Sequence, residues 1–325
     1  MDDTYGRSST DQYSDAAVSV SSVPIDGFVA NDRLSSCLVI SLYSGVAFKN
    51  AIGLFAGETT TITTSSSPEG VHVSSTNNDG NMIHEIMLHA EEMLFYRYDC
   101  RDEDTGELSK KTVITFDAER FHNCLKSINS ASGVCMYFDS ETQALVITQD
   151  LQDHFGDNAS FVPALRSCGD IHGVIDDYTA EPFRMGVSDL CGKFKKAVDL
   201  KCKVVGLKWR NQCLTVVGYS PENTVLYRSK SCSGNFDEMD YEDEDIDAAL
   251  REFSASSGMT MRLSDPPGTI SFTIHAGAVK ALCKIKQVAH PGAVIKLYFQ
   301  EGMDLQLRCS VASYGTMKIH IKNSS

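Results

Sequence analysis

The run Gly186-VSDLC-Gly192-Lys193 comes nearest to a chemical motif in this chain. A phosphate-cradling loop needs such glycines after a strand, so that backbone amides can close on phosphate while a lysine neutralises it. Here five residues separate the glycines where that loop has four, and Phe194 stands where a hydroxyl should hold magnesium. Gly186-Val-Ser188 lacks the second glycine of a nucleophile elbow. His72, His84 and His89 come from β-patterned stretches with no cysteine or carboxylate at ligand spacing, so they read as core or surface histidines. Eleven cysteines without a C-x-x-C pair read as reduced thiols of an intracellular protein. Cys124, Cys191 and Cys283 fall at helix positions that read as packing. The acidic run 236–253 lacks the turn glycine of a calcium loop. The sequence predicts no catalytic residue, no metal site and no cofactor.

What remains is a set of lysines at helical spacing. Over 277–290, Ala278, Leu282, Ile285 and Val288 form one apolar stripe, while Lys280, Lys284 and Gln287 point away from it. Residues 45–56 pack Phe48, Ala51, Ile52 and Phe55 and turn Lys49 outward. Residues 117–130, capped by Asp117, pack Ala118, Phe121, Leu125 and Ile128 opposite Asn123, Lys126 and Ser127. Residues 188–201 pack Leu190, Phe194, Ala197 and Val198 opposite Lys195 and Lys196, with Lys193 on the flank. One such helix describes any solvated face. Four at matching positions point to a common surface for a polyanion, because phosphate contacts are what lysine rows serve.

Each helix follows a strand and precedes several more. Alternating apolar residues mark strands at 37–43, 59–66, 70–75, 81–90, 93–100, 111–116, 133–139 and 144–149. Residues 161–165 (FVPAL) read as an edge strand because Pro163 cannot donate to a ladder. The pattern then restarts at 183–187 and continues through 203–210, 213–219, 224–230, 269–276, 293–300, 305–312 and 316–322. The chain is thus a supersecondary repeat, strand–helix–strands four times over, paired two and two around a connector. The expected divisions are a disordered tail (1–36), a first domain (37–166), a connector (167–182) and a second domain (183–322) with an acidic insert (232–262).

At 325 residues and 42% hydrophobic content the chain is long enough for a sizeable core. The formal net charge is −14, which at first argues against nucleic acid. Residues 236–253, however, hold nine acidic residues against Arg251 and alone supply −8 of it. The acidity is local. The start lacks the basic and apolar regions of a signal peptide, and no run reaches the length of a membrane span.

Three stretches carry a resemblance to a known family: GVHVSS with the strands up to FYRYDC (95–100), FHNCLKSINSASGVCMYFDSETQALVIT (121–148), and VIKLYFQEGMDLQLRCSVASYGTMKIHIK (294–322). Together they resemble sliding clamps of the proliferating cell nuclear antigen (PCNA) type, over about residues 38–321. The resemblance implies an α+β DNA-clamp fold of two similar domains, each of two β-α-β-β-β units, with helices lining a ring and antiparallel sheets outside. It implies a non-enzymatic homotrimer that encircles double-stranded DNA without sequence preference and tethers DNA polymerase and other proteins carrying clamp-binding motifs. A clamp loader and a nuclear or viral replication site go with it. The DNA contacts would be Lys49, Lys126, Lys193, Lys195, Lys196, Lys280 and Lys284, with Arg120, Lys201 and Lys286 beside them. The partner groove would use Ile171, Val174, Ile175, Met303, Ile319 and Ile321, where the family prefers proline and tyrosine at the floor. The alternatives within the fold are a checkpoint-clamp subunit, a monomeric or dimeric processivity factor, and an interaction module that does not encircle DNA.

Overall fold

The computed structural model describes residues 36–102, 104–128, 133–150, 159–165, 178–232, 267–290 and 292–322. The expected tail up to Ser35, connector residues 167–177 and insert residues 233–262 lie outside them. The first half runs β1 (Leu38–Leu42), α1 (Gly45–Phe55), β2 (Thr61–Ser67), β3 (Gly70–Thr76), β4 (Met82–His89), β5 (Phe95–Tyr98), β6 (Thr112–Asp117), α2 (Ala118–Leu125), β7 (Gly133–Asp139), β8 (Ala144–Asp150) and β9 (Ser160–Leu165). The second runs β10 (Phe183–Gly186), α3 (Val187–Asp199), β11 (Val204–Arg210), β12 (Cys213–Tyr219), β13 (Val225–Cys232), β14 (Ile270–His275), α4 (Ala276–Leu282), β15 (Val294–Tyr298), β16 (Leu305–Val311) and β17 (Gly315–Ile321).

Thirteen strands form one sheet, in the order β10-β15-β16-β17-β4-β3-β2-β6-β9-β8-β7-β1-β5, and β13-β12-β11-β14 form a second. All the pairings among the described residues are antiparallel, which lets short turns join consecutive strands such as β2, β3 and β4 or β15, β16 and β17. β11 and β12 are joined by Asn211 and Gln212, both in left-handed conformation (φ 49° and 60°), the geometry a two-residue hairpin demands. The two halves meet where β17 pairs with β4, from Gly315 opposite Leu88 to Ile321 opposite Met82. Glycine is required at that seam: a Cβ on Gly315 would stand 2.5 Å from the Met87 carbonyl oxygen. The preceding Tyr314 is buried and donates from its hydroxyl to the Ser44 carbonyl (2.8 Å), tying the last hairpin to the start of α1.

Aromatic side chains fill both halves of the core. Phe121 of α2 meets Phe116 (5.5 Å between ring centres) and Phe48 of α1 (6.2 Å). In the second half Trp209 stacks on Phe299 at 5.1 Å and touches Phe183 at 5.0 Å. Fully burying such a ring contributes about 1.5–3 kcal/mol, so these clusters set the spacing between helices and sheets.

Three expectations change. The stretch 277–290 is not one helix: α4 ends at Leu282 and a one-turn 3₁₀ helix follows at Ile285–Gln287. β9 is not a plain edge strand. It pairs with β8 from Ser160 to Pro163 and with β6 at Ala164 and Leu165, so only the side of its first half away from β8 stays open among the described residues. Nor are all the cysteines reduced: Cys213 and Cys232 are joined. Nineteen residues apart, they are brought opposite one another by the β12–β13 register, which no local spacing could announce.

Candidate nucleic-acid interface

Each of the four α-helices among the described residues begins where a strand ends: β1 leads to α1, β6 to α2, β10 to α3 and β14 to α4. Asp117 caps α2 as the sequence suggests, its carboxylate accepting from the Arg120 amide (2.7 Å). The helices touch in the order α2–α1–α4–α3 and so form one continuous layer. Phe48, Ala51, Ile52 and Phe55 of α1, Phe121 and Leu125 of α2, Leu190, Phe194 and Ala197 of α3, and Val279 and Leu282 of α4 are buried beneath it.

On the outward side of this layer Lys126, Lys195, Lys196, Lys280 and Lys284 are exposed, as are Arg120, Lys201 and Lys286. Lys196 lies 5.1 Å from the ring centre of Tyr227 on β13. The other two lysines are held inward. Lys49 is half-buried and donates to the Ile128 carbonyl, just beyond the end of α2. Lys193 is half-buried and donates to the Ser229 hydroxyl on β13, and burial lowers its pKa. Their ammonium groups fasten one element to another before they meet any ligand.

His122 was not among the residues the sequence singles out, yet the layer converges on it. It rests against α1, where a Cβ on Gly53 would lie 2.8 Å from its Nε2. Burial lowers its pKa, and Lys126, Lys284 and Lys49 lower it further. Three lysines from three different helical segments therefore share one neighbourhood. Such like charges repel unless an anion is shared among them. Its only sequence signal was a flanking position on α2.

The groove residues are less assembled. Ile171, Val174 and Ile175 lie outside the described residues. Ile319 and Ile321 are buried in β17, and Met303 is half-buried in the loop before β16. The end of the connector is fastened beside that loop: Tyr178 donates to the Asp304 carbonyl (2.6 Å) and the Thr179 amide to Gln300 Oε1 (3.0 Å).

Two of the strand edges open among the described residues also carry exposed apolar side chains. β13 ends the four-stranded sheet, with Val225 and Leu226 45% and 43% exposed. β9 shows Phe161 56% and Leu165 41% exposed beside its open half. Apolar edges of this kind invite pairing with another chain.

No protein-family model and no curated protein sequence matches the chain. Solved structures do. The PCNA2–PCNA3 complex of Sulfolobus tokodaii superposes with a TM-score of 0.62 at 12% identity, over 88% of this chain and 99% of that one. Proliferating cellular nuclear antigen from Entamoeba histolytica gives 0.64 at 7% identity, over 89% and 100%. The chain has the PCNA clamp fold. At such identities the likeness lives in strand order and helix placement, and the PCNA-like architecture spans essentially the whole length of both comparison chains.

Proposed function

We infer that this protein is a DNA clamp: a non-catalytic subunit whose helix layer rides on duplex DNA while its outer surface holds DNA polymerase and other replication proteins. The observation that carries the reading is the single α2–α1–α4–α3 layer, with exposed lysines on α3 and α4 and just after α2 and α4, on a PCNA-like frame. Lysines are flexible point charges and contact phosphate without reading sequence, which suits a protein that must hold DNA and still slide. The acidic remainder of the chain discourages DNA from binding elsewhere.

Ring closure in this reading is head-to-tail, with β9 of one subunit pairing with β13 of the next and Phe161, Leu165, Val225 and Leu226 covered in the joint. A homotrimer follows, acting in a nucleus or at a viral replication site. The test is solution mass by light scattering, with and without a charge placed in the joint. The wild-type chain of 35.6 kDa should give a species of about three times that mass, and Leu226→Asp should reduce it to the single chain. A wild-type mass of one chain at all concentrations would refute the self-closing ring. Equal retention of wild-type and lysine-reversed protein on circular DNA would refute the helix layer as the contact surface.

A further inference from the structure

Cys37 and Cys100 stand where β1 begins and β5 has just ended. β1 and β5 pair with Leu38 opposite Tyr98, and one step further the Asp99 amide donates to the Cys37 carbonyl (2.7 Å). The Cys100 carbonyl accepts from the Ser109 amide (2.8 Å), so the backbone on both sides is fixed. The two sulfurs are 3.0 Å apart, with the Cys100 thiol directed at Cys37 Sγ. A disulfide needs about 2.05 Å, so closure asks roughly 1 Å of movement and small side-chain rotations.

The two thiols are unequal. Cys37 is half-exposed and Cys100 is buried. The hydrogen bond from Cys100 lowers the Cys37 pKa to about 7, helped by Ser140 and opposed by burial and Asp99. Cys100 is pushed up by the same hydrogen bond and by burial. Asp99 itself is partly neutralised by Arg101 at 3.0 Å and Arg97 at 3.7 Å. Elsewhere burial pushes the thiols up, at Cys124, Cys191, Cys202, Cys283 and Cys309. A thiol inclined to ionise on a partly exposed residue, beside a second sulfur placed to resolve it, is an arrangement suited to reaction with peroxides.

We propose that Cys37 and Cys100 form a redox-modification site, in which Cys37 is oxidised by hydroperoxides and Cys100 closes the product to a second disulfide. The Cys37 thiolate attacks the peroxide; the sulfur–oxygen bond forms, the oxygen–oxygen bond breaks, and the departing oxygen takes up a proton as alcohol or water. Cys100 then surrenders its proton and attacks the Cys37 sulfur. The sulfur–sulfur bond forms as the sulfur–oxygen bond breaks, and the hydroxyl leaves as water. Two thiols lose two electrons and one peroxide gains them. The product welds the chain just before β1 to the chain just after β5. This inference stands apart from the clamp reading.

The test uses the full-length protein, reduced and then exposed to equimolar hydrogen peroxide at neutral pH. Non-reducing digestion should yield a Cys37–Cys100 linked peptide, and Cys37 should be lost about tenfold faster than Cys124 or Cys283. In Cys100→Ser, Cys37 should accumulate as sulfenic acid and be trapped by dimedone; Cys37→Ser should abolish the linked peptide while retaining the wild-type circular dichroism spectrum. Cys37 reacting no faster than the other free thiols would overturn the proposal, as would sulfenic acid at Cys37 that wild-type Cys100 fails to resolve.

Discussion

His320 on the last strand donates from Nε2 to Glu85 on β4 at 2.9 Å, joining residues 235 positions apart across the seam between the two halves. The other carboxylate oxygen of Glu85 takes His72 Nε2 at 3.2 Å. Burial pushes the Glu85 carboxyl up, but the hydrogen bonds from His320 and His72 outweigh it and hold it at about 2. Beside it His84, fully buried against Phe55 with ring centres 4.2 Å apart, is held down to about 3 by burial and by His320.

Both shifts make acid destabilising. Between pH 6.5 and 3 the unfolded chain protonates His84 while the folded one does not, so stability falls as the pH falls through that window. The Glu85 contribution is complete above about 4.5 and disappears toward 2, which adds to the loss. Urea midpoints should decline from pH 7 to 5.5 and more steeply below 4.5. Glu85→Gln should cost about 1–3 kcal/mol at pH 7 and flatten the acid limb. A wild-type midpoint constant from pH 7 to 4 would contradict the assignment.

The lysines should divide into two classes. Lys126→Glu, Lys195→Glu, Lys280→Glu and Lys284→Glu should each weaken duplex binding and lower the slope of log affinity against log salt by about 0.9 or more, with folding stability changed by less than about 0.5 kcal/mol. Lys49→Ala and Lys193→Ala should instead lower stability by about 1 kcal/mol, because they release Ile128 and Ser229. Fluorescence anisotropy across a salt series, beside denaturation curves, separates the two classes.

Reducing the Cys213–Cys232 disulfide should cost about 2–4 kcal/mol, since it closes a loop with a sequence separation of 19. The same loss should appear in Cys213→Ala/Cys232→Ala without reductant. If reductant leaves the wild-type urea midpoint unmoved, the bridge adds nothing to stability.

Much of this was legible in the residues. Strict alternation in GVHVSS and the closing strands gave the element type, and the apolar stripe beginning at Phe48 told which face of α1 turns inward. The lysines were visible as a set because all four helices repeat one pattern. Their individual fates were not. Whether Lys193 faces solvent or Ser229 depends on a strand 36 residues on, and helical spacing carries no such information. The Glu85–His320 pair was hidden for the same reason: each residue sits in an ordinary strand, and only the β17–β4 register brings them together. β9 misled because Pro163 removes a donor on one side without deciding whether a neighbour covers the other.

Gly315→Ala should cost about 1–3 kcal/mol, the range for forcing a methyl into a packed site. The added carbon would meet the Met87 carbonyl oxygen at 2.5 Å, and backbone cannot swing aside as a side chain can. A melting temperature within a degree of wild type would show that β17 can shift away from β4.

That same pairing has a consequence for biosynthesis. β4 leaves the ribosome early with one edge unsatisfied, and the strand that covers it is the last of the described chain to be made. Contacts so distant in sequence form slowly, and an unpaired edge exposed meanwhile is open to wrong partners. The first half must therefore wait, incomplete, until β17 is made, and a stop codon just before Gly315 would strand it with that edge bare.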